Sequence, residues 1–139
     1  FVQAHPSYER VGLRDLAQRI HEQYRAHDIA RVTTEMYLSN MQPAMKPSEA
    51  YECLAHRNVD RVPIDELEGR ITTMLVTPYP PGIPLLIPGE RFNKSIVEYL
   101  KFARTFNAKF PGFYTDVHGL VIEKGDDGVD RYYVDCVKA

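Results

Sequence analysis

The sequence has 139 residues, a length that suits one compact domain. Hydrophobic residues make up 44% of it and charged residues 26%, which is typical of a globular chain and excludes a disordered one. The formal net charge is −2 with no basic run, which argues against nucleic acid, and no apolar run approaches the roughly 20 residues that span a bilayer.

The predicted helices follow from apolar residues that recur at helical spacing. From Leu13 to Tyr24 such residues alternate with charged ones and predict an amphipathic helix. Pro43 and Pro47 break the chain before a later helix, which would bury Tyr51. In chain order, the predicted helices cover residues 13–27, a short segment capped by Asp28, residues 49–57 capped by Ser48, and residues 94–109 capped by Asn93.

The predicted strands are apolar runs bounded by prolines and glycines. They cover Ile71–Val76, Leu85–Ile87, Gly119–Lys124 and Arg131–Lys138, whereas Arg61–Gly69 is expected to be a connector. The GDDG sequence, Gly125 to Gly128, is a strong turn signal, so the last two strands should form a hairpin. Because no β-α-β repeat occurs, we predict an α+β fold over residues 1–139 as a single domain. It should contain a small mixed or antiparallel sheet, several packed helices and the C-terminal β-hairpin.

The two cysteines, Cys53 and Cys136, are too few for a disulfide scaffold. We expect both to be reduced thiols in a cytoplasmic protein, although two cysteines do not by themselves exclude a bridge. The first residue is Phe1 and no signal-peptide pattern follows it. The simplest expectation is that the chain is a piece of a longer protein.

The sequence contains no motif for a metal, a nucleophile or a phosphate. The histidines form no HxH, HExxH or Cys/His cluster, so no metal site is predicted. A nucleophile elbow and a glycine-rich phosphate loop are absent as well. Asp116 and His118 are two residues apart, so in an extended chain both point to the same side. This pair could orient a proton donor, or it could simply pin a loop to a neighbouring strand.

The segment TPYPPGIPLLIPGERF, from Thr77 to Phe92, is the most unusual stretch of the chain. Its five prolines reduce the conformational freedom of the unfolded chain, which predicts a pre-organised loop. Glu90 leaves this proline segment directly after a Pro-Gly pair. It is either a carboxylate held in a fixed position by stiff backbone or a surface acid paired with Arg70 or Arg91.

The proline segment resembles a signature of the C-terminal domain of bacterial Orn/Lys/Arg decarboxylases, which are large pyridoxal-phosphate-dependent enzymes of the aspartate-aminotransferase fold. Other motifs fall in the order of that family: VGLRDL near the start, MKPSEAY, VPIDELEGRI, FARTF followed by FPGF, and DVHGL. The resemblance covers nearly all of the chain. Within the family, the chain is most similar to lysine decarboxylases.

The resemblance implies a cytoplasmic enzyme, a homo-oligomer built from dimers, that decarboxylates lysine, arginine or ornithine to the corresponding amine. Pyridoxal phosphate would bind in a large central domain, on a lysine that follows a histidine. No His-Lys dipeptide occurs here, so no catalytic or cofactor-binding residue is expected in this chain, which should be inactive alone. The family's C-terminal domain packs beside the cofactor domain, contributes to subunit contacts and helps to wall the active-site entrance.

Motif position and charge together indicate four candidates for that wall, Tyr79, Glu90, Asp116 and His118. Carboxylates near the loop would raise the local concentration of a cationic diamino acid. A second hypothesis is a self-standing interaction or regulatory module that docks a partner through the proline segment. The position of that segment between two predicted strands favours a role within the molecule.

Overall fold

The computed structural model describes every residue from Phe1 to Ala139. Its four α-helices are α1 (Leu13–Ala26), α2 (Ile29–Leu38), α3 (Pro47–Ala55) and α4 (Lys94–Lys109). Two short 3₁₀ turns, Pro6–Tyr8 and Ile64–Glu66, lie before α1 and between α3 and α4. The number and order of the predicted helices are confirmed. None of these helices is long and apolar enough to cross a membrane.

Capping chemistry sets where α3 and α4 begin. Asn93 caps α4 as predicted, because its side-chain oxygen accepts a hydrogen bond of 2.9 Å from the Ile96 backbone N–H. The prediction that Ser48 caps α3 is wrong. That helix begins earlier, with Lys46 as the N-cap residue and Pro47 at the first helical position. Proline is tolerated there because a backbone N–H at the first helical position makes no hydrogen bond within the helix.

Three further details of the predicted helices are wrong. Asp28 stands at the N-cap of α2, but its carboxylate accepts a hydrogen bond from the Arg31 side chain and caps no backbone N–H. Leu13 is 87% exposed because it is the first residue of α1 and extends beyond the core. Tyr51 is 60% exposed because α3 buries the neighbouring Ala50 instead.

Seven short strands form three antiparallel sheets. They are β1 (Gln42–Pro43), β2 (Val59–Pro63), β3 (Thr77–Tyr79), β4 (Glu90–Arg91), β5 (Asp116–His118), β6 (Val121–Lys124) and β7 (Asp130–Val137). The largest sheet has the order β2–β7–β6, and the other two are ribbons that pair β1 with β4 and β3 with β5. The predicted hairpin is confirmed as β6–β7. The α+β fold is therefore confirmed, with antiparallel pairing throughout.

The middle of the chain differs from the prediction. Ile71–Val76 is not a continuous strand, because its backbone groups bond to two different segments, the later part of the proline segment and β7. The Thr72, Thr73 and Val76 N–H groups donate to the carbonyls of Glu90, Asp135 and Leu86. Leu85–Ile87 forms only a single bridge, between Val76 and Leu86. Conversely, Arg61–Gly69 is not a plain connector, since it contains most of β2 and the second 3₁₀ turn.

A core of 23 buried residues joins the helices, the sheets and the proline segment. Helix α4 lies at its centre, and Ile96 and Leu100 of that helix are fully buried. Strand β7 contributes alternate buried residues, namely Tyr132, Val134 and Cys136, because successive side chains of a strand point to opposite faces. Both cysteines are free thiols. Burial raises the pKa of Cys136 to about 12, so its reactive thiolate form is disfavoured.

Candidate functional site

The proline segment forms a loop with a buried base and an exposed tip. Its base is closed on Val76, whose N–H donates to the Leu86 carbonyl at 3.0 Å and whose carbonyl accepts from the Leu85 N–H at 2.8 Å. Leu85 and Leu86 are each only 1% exposed. Tyr79, near the tip, is 62% exposed. The base therefore belongs to the core, and the tip is available for contacts.

Gly89, near the end of the proline segment, allows two stretches of backbone to cross closely. Its φ is +93°, and a Cβ at this position would collide with the Met45 carbonyl. The Gly89 carbonyl accepts hydrogen bonds from the N–H groups of Ala44 and Met45. This crossing sets the position of Glu90, the next residue, where β4 begins.

Glu90 is held by the backbone of its own turn. Its carboxylate accepts a hydrogen bond of 2.9 Å from the Ile87 N–H. The alternative interpretation, a surface ion pair with Arg70 or Arg91, is wrong. Arg70 pairs with Asp60 at 2.7 Å, and the Arg91 guanidinium donates to a backbone carbonyl at 2.8 Å. Glu90 is thus a carboxylate in a fixed position.

The ribbon of β3 and β5 brings the other three predicted site residues onto one surface. Tyr79 lies directly opposite Asp116, and Thr77 lies opposite His118, so these alternate residues share one face. The intervening residue of each strand is buried. Nε2 of His118 lies 3.3 Å from Oδ2 of Asp116, and the rings of Tyr79 and His118 have centroids 6.3 Å apart. The same-side prediction for Asp116 and His118 is confirmed.

This ribbon surface is open to solvent. The side chains of Asp116 and His118 are 68% and 64% exposed. Such an ion pair contributes little to stability, because water screens the charges and both side chains lose freedom. The surface presents a carboxylate, an imidazole and a phenol that can attract or orient a small charged molecule. Glu90 is not part of it, since β4 belongs to the ribbon with β1.

A second concave feature is an aromatic cavity of about 420 Å³ between α1, α2, α4 and the tip of the proline segment. Its wall contains no charged side chain, and its tyrosines are Tyr24, Tyr37, Tyr99 and Tyr114. This cavity was not predicted from the sequence. A usable signal was present, because α1, α2 and α4 each carry a tyrosine within an apolar stripe, and a tyrosine hydroxyl needs a partner when it is buried.

The lysines of the chain do not fit a pyridoxal-phosphate site. A lysine that forms a Schiff base is activated by an enclosed, desolvated setting. Here five of the six lysines are exposed, and the sixth, half-buried Lys101, has its Nζ 3.5 Å from Asp65 on the surface of α4. No group of His, Cys, Asp and Glu side chains is arranged to hold a metal ion. No step of cofactor chemistry can therefore be assigned to residues of this chain.

The fold and its motifs define a small α+β domain of the kind found in larger enzymes. The family described as Orn/Lys/Arg decarboxylase, C-terminal domain, matches residues 30–138. That match covers well over half of the chain, and the chain therefore belongs to this family. The family resemblance carried by the motifs is confirmed.

Named relatives agree with this assignment. The chain is 50% identical over 134 residues to the lysine decarboxylase LdcA of Pseudomonas aeruginosa. This alignment covers 94% of this chain and 18% of that protein. It is 32% identical to the constitutive lysine decarboxylase of Escherichia coli, over 91% of this chain and 18% of that protein. It is 35% identical to the biodegradative arginine decarboxylase of Escherichia coli, over 96% of this chain and 17% of that protein. The chain thus spans about a fifth of the length of these relatives.

Solved structures show the same fold. Lysine decarboxylase A from Pseudomonas aeruginosa superimposes with a TM-score of 0.86 at 50% identity, over 94% of this chain and 18% of that one. The constitutive lysine decarboxylase of Escherichia coli superimposes with a TM-score of 0.85 at 30% identity, over 99% of this chain and 19% of that one. Both comparisons place this fold within a much longer polypeptide.

Proposed function

We propose that this chain is the C-terminal domain of a decarboxylase that acts on a basic amino acid, with lysine as the first candidate. The observation that carries the proposal is the 50% identity to a lysine decarboxylase over 94% of the chain. Arginine and ornithine decarboxylases are also similar to it, at 35% and 30% identity. A domain shared by enzymes for three substrates is a poor place to choose among them, so the substrate is chosen elsewhere in the polypeptide.

The proposal assigns the chemistry to the part of the polypeptide outside this chain. Pyridoxal phosphate, as the electron sink for loss of CO₂, would bind there. The 139 residues act as a single domain that packs beside the cofactor domain, contributes to subunit contacts in a homo-oligomer built from dimers, and is inert alone. Free thiols at both cysteines fit a cytoplasmic enzyme.

The ribbon surface of Tyr79, Asp116 and His118 is our candidate for a wall of the substrate entrance, with Glu90 as a separate fourth residue. Three observations support this role. The side chains are exposed, they share one face, and they lie beside the exposed tip of a loop whose base is anchored in the core. A carboxylate at such an entrance would attract a diamino acid by charge without touching the reacting atoms.

The alternative of a self-standing interaction module has less support. The proline segment is anchored in the core, because Leu85, Leu86 and Phe92 are nearly fully buried. Proline-rich partner ligands are normally read along an exposed polyproline helix. A segment whose residues are anchored in the core at these positions cannot be presented along its whole length in that way.

The test is an assay of the full-length protein that carries this chain. We expect release of CO₂ from lysine, arginine or ornithine, and a visible absorbance band from the bound cofactor. The 139-residue chain alone should show neither property. A full-length protein that never binds pyridoxal phosphate, or a 139-residue chain that is active alone, would contradict the proposal.

A further inference from the structure

Helix α4 carries one uncharged amide on its buried face, close to the start of the ribbon. Asn107 is only 7% exposed, in a stretch of α4 that contributes Phe102, Ala103 and Phe106 to the core. Asparagine is a weak helix former, and a buried amide costs free energy unless its donors and its acceptor are hydrogen-bonded. The groups that Asn107 bonds therefore explain why it stands at this position.

Asn107 gives most of its hydrogen bonds to a single residue outside the helix. Its side-chain oxygen accepts from the Thr115 N–H at 2.7 Å, and its side-chain nitrogen donates to the Thr115 carbonyl at 3.2 Å and to the Tyr132 hydroxyl at 3.3 Å. In a sheet, both backbone groups of a strand residue are usually bonded by a neighbouring strand. Here one side chain takes the place of that strand.

Thr115 directly precedes β5, whose own pairing is short. The ribbon has three residue pairs, and the central residue of β3 is Pro78, which has no N–H to donate. A two-stranded ribbon of this length is marginal on its own. Val117 is buried and holds β5 against the core, but an apolar contact has no preferred direction. The directional bonds of Asn107 to Thr115 therefore fix where β5 begins.

The third bond connects this point to the largest sheet. Tyr132 lies on β7, the central strand of that sheet, and is 6% exposed. The amide of Asn107 thus joins α4, the start of β5 and β7 in one place. Tyr114, the residue before Thr115, is 61% exposed, so its side chain contributes little to holding this end of the ribbon.

We propose that Asn107 is a positioning residue for the ribbon surface, because it holds Thr115 and thereby sets the place of the next residue, Asp116. This role rests on the proposed function of the ribbon as a wall of the substrate entrance. Asn107 is buried and acts on a substrate only through Asp116 and His118. Without its amide, α4 keeps its packing, whereas the start of β5 is released and the Asp116 carboxylate spreads over several positions.

The first test follows the ribbon itself and does not depend on activity. Hydrogen exchange is measured by mass spectrometry on the full-length protein that carries this chain. In Asn107→Ala, the amides of residues 115–118 should exchange at least about ten-fold faster, while those of the β6–β7 hairpin keep their rates. A uniform increase over the whole domain, or no increase at 115–118, would overturn the positioning role.

Gln23→Ala is the matched control for this measurement. Gln23 of α1 is 4% exposed, and its amide oxygen accepts a hydrogen bond of 2.6 Å from Lys109 of α4. The substitution therefore also removes a buried amide that contacts the C-terminal end of α4, but this amide makes no hydrogen bond to the ribbon. We expect exchange at residues 115–118 to stay as in the parent. Faster exchange there in Gln23→Ala would mean that any loss of packing on α4 loosens the ribbon, which overturns a specific role for Asn107.

The second test asks whether Asn107 acts on the reaction through Asp116. In the full-length enzyme at low salt, Asn107→Ala should lower kcat/KM for lysine about two-fold, mainly through KM, and added salt should remove the deficit. Asp116→Asn should then cost less in the Asn107→Ala background than in the parent. Effects that simply multiply would overturn the coupling of Asn107 to Asp116.

The two tests separate failure of this proposal from failure of the entrance role. If Asp116→Asn leaves kcat/KM unchanged in the parent, the entrance role is wrong, and Asn107 then has no part in the reaction. If Asp116→Asn has its effect but Asn107→Ala leaves exchange at residues 115–118 unchanged, only the positioning role is wrong.

Asn107→Asp is the second variant if Asn107→Ala does not fold. It keeps an oxygen that accepts from the Thr115 N–H and removes both side-chain N–H donors. Faster exchange confined to residues 115–118 supports the proposal, and exchange as in the parent overturns it.

Discussion

The β2–β7–β6 sheet and the β3–β5 ribbon use the same antiparallel pairing, but they differ in what holds them. In the sheet, Arg61 on β2 reaches Asp135 on β7 at 3.0 Å and Glu123 on β6 at 2.7 Å, so one guanidinium links all three strands. These contacts raise the pKa of Arg61 above its usual value. In the ribbon, the only ion pair joins Asp116 to His118 within one strand.

The two regions therefore differ in the role that their polar side chains can take, which is to stabilise the fold in the sheet and to contact a ligand in the ribbon. In the sheet, Arg61, Glu123 and Asp135 pair with one another, so these three charged side chains are not available to a ligand. The ribbon buries one residue of each strand and leaves the polar set of Tyr79, Asp116 and His118 in solvent. Residues that do little for the fold are free to serve a binding surface, and here they gather at the tip of the loop.

The largest expected effect comes from a matched pair of substitutions in the two regions. Val134→Ala, at a fully buried position in the central strand of the sheet, should reduce the free energy of unfolding by about 2–3 kcal/mol. Val117→Ala, at a 6% exposed position in the ribbon, should cost roughly half as much, because the smaller ribbon can relax around the gap.

Urea unfolding of the 139-residue chain measures both substitutions. Equal losses would mean that the ribbon is as firmly packed as the sheet, and the contrast between the regions would then rest on exposure alone.

A smaller effect is expected where the sheet meets α4. Asp65, just after β2, accepts two hydrogen bonds from Arg104, at 2.6 and 3.1 Å, and these bonds lower the pKa of the Asp65 carboxyl. A lowered pKa in the folded state gives stability above the unfolded pKa of about 3.9, and this stability is lost as the pH falls through the folded pKa. Since Asp65 is half exposed, Asp65→Asn should cost only about 0.5–1 kcal/mol at pH 7.

Unfolding curves of Asp65→Asn and the parent at pH 7 and below pH 4 provide the check. The difference in unfolding free energy should shrink as the pH falls. A difference that stays constant with pH would show that the amide disturbs packing and that the ion pair contributes nothing. Glu66→Gln, at an exposed neighbouring acid, is the matched control.

Local signals predicted the parts of the fold that depend on neighbours in sequence. Asn93 at the start of α4 and the GDDG turn of the hairpin act within a few residues, and both predictions are confirmed. The apolar composition of Ile71–Val76 predicts a strand, yet its backbone groups bond partly to the proline segment and partly to β7, which is distant in sequence. Apolar composition reveals burial, but it does not reveal which partner completes the hydrogen bonds.

The same limit applies to the candidate site. The common side of Asp116 and His118 follows from their spacing, and the structure confirms it. Their meeting with Tyr79 depends on the pairing of β3 with β5, which the intervening helix α4 separates in sequence. The aromatic cavity is harder still, since three helices must pack before Tyr24, Tyr37 and Tyr99 share a wall.

The smallest expected effect on stability is also the sharpest test of the ribbon as a binding surface. Asp116→Asn and Tyr79→Ala change exposed side chains, so each should alter the free energy of unfolding by less than about 0.5 kcal/mol. In the full-length protein, Asp116→Asn should nevertheless lower kcat/KM for lysine about two- to five-fold at low salt with kcat nearly unchanged. The reason is that the carboxylate would act on the approach of a cation and not on the reacting atoms.

Ionic strength separates this effect from a structural one. Added salt screens exposed charges over distances beyond about 10 Å at 0.1 M, so the deficit of Asp116→Asn should fade as salt rises. Asp126→Asn, which removes an exposed acid from the β6–β7 turn, should leave kcat/KM unchanged at every salt concentration.

Glu90→Gln tests the fourth candidate for the wall, whose carboxylate already accepts a hydrogen bond from the Ile87 N–H. A loss of kcat/KM in Glu90→Gln without a loss of stability would add Glu90 to the wall, whereas a loss of both would assign it to the turn.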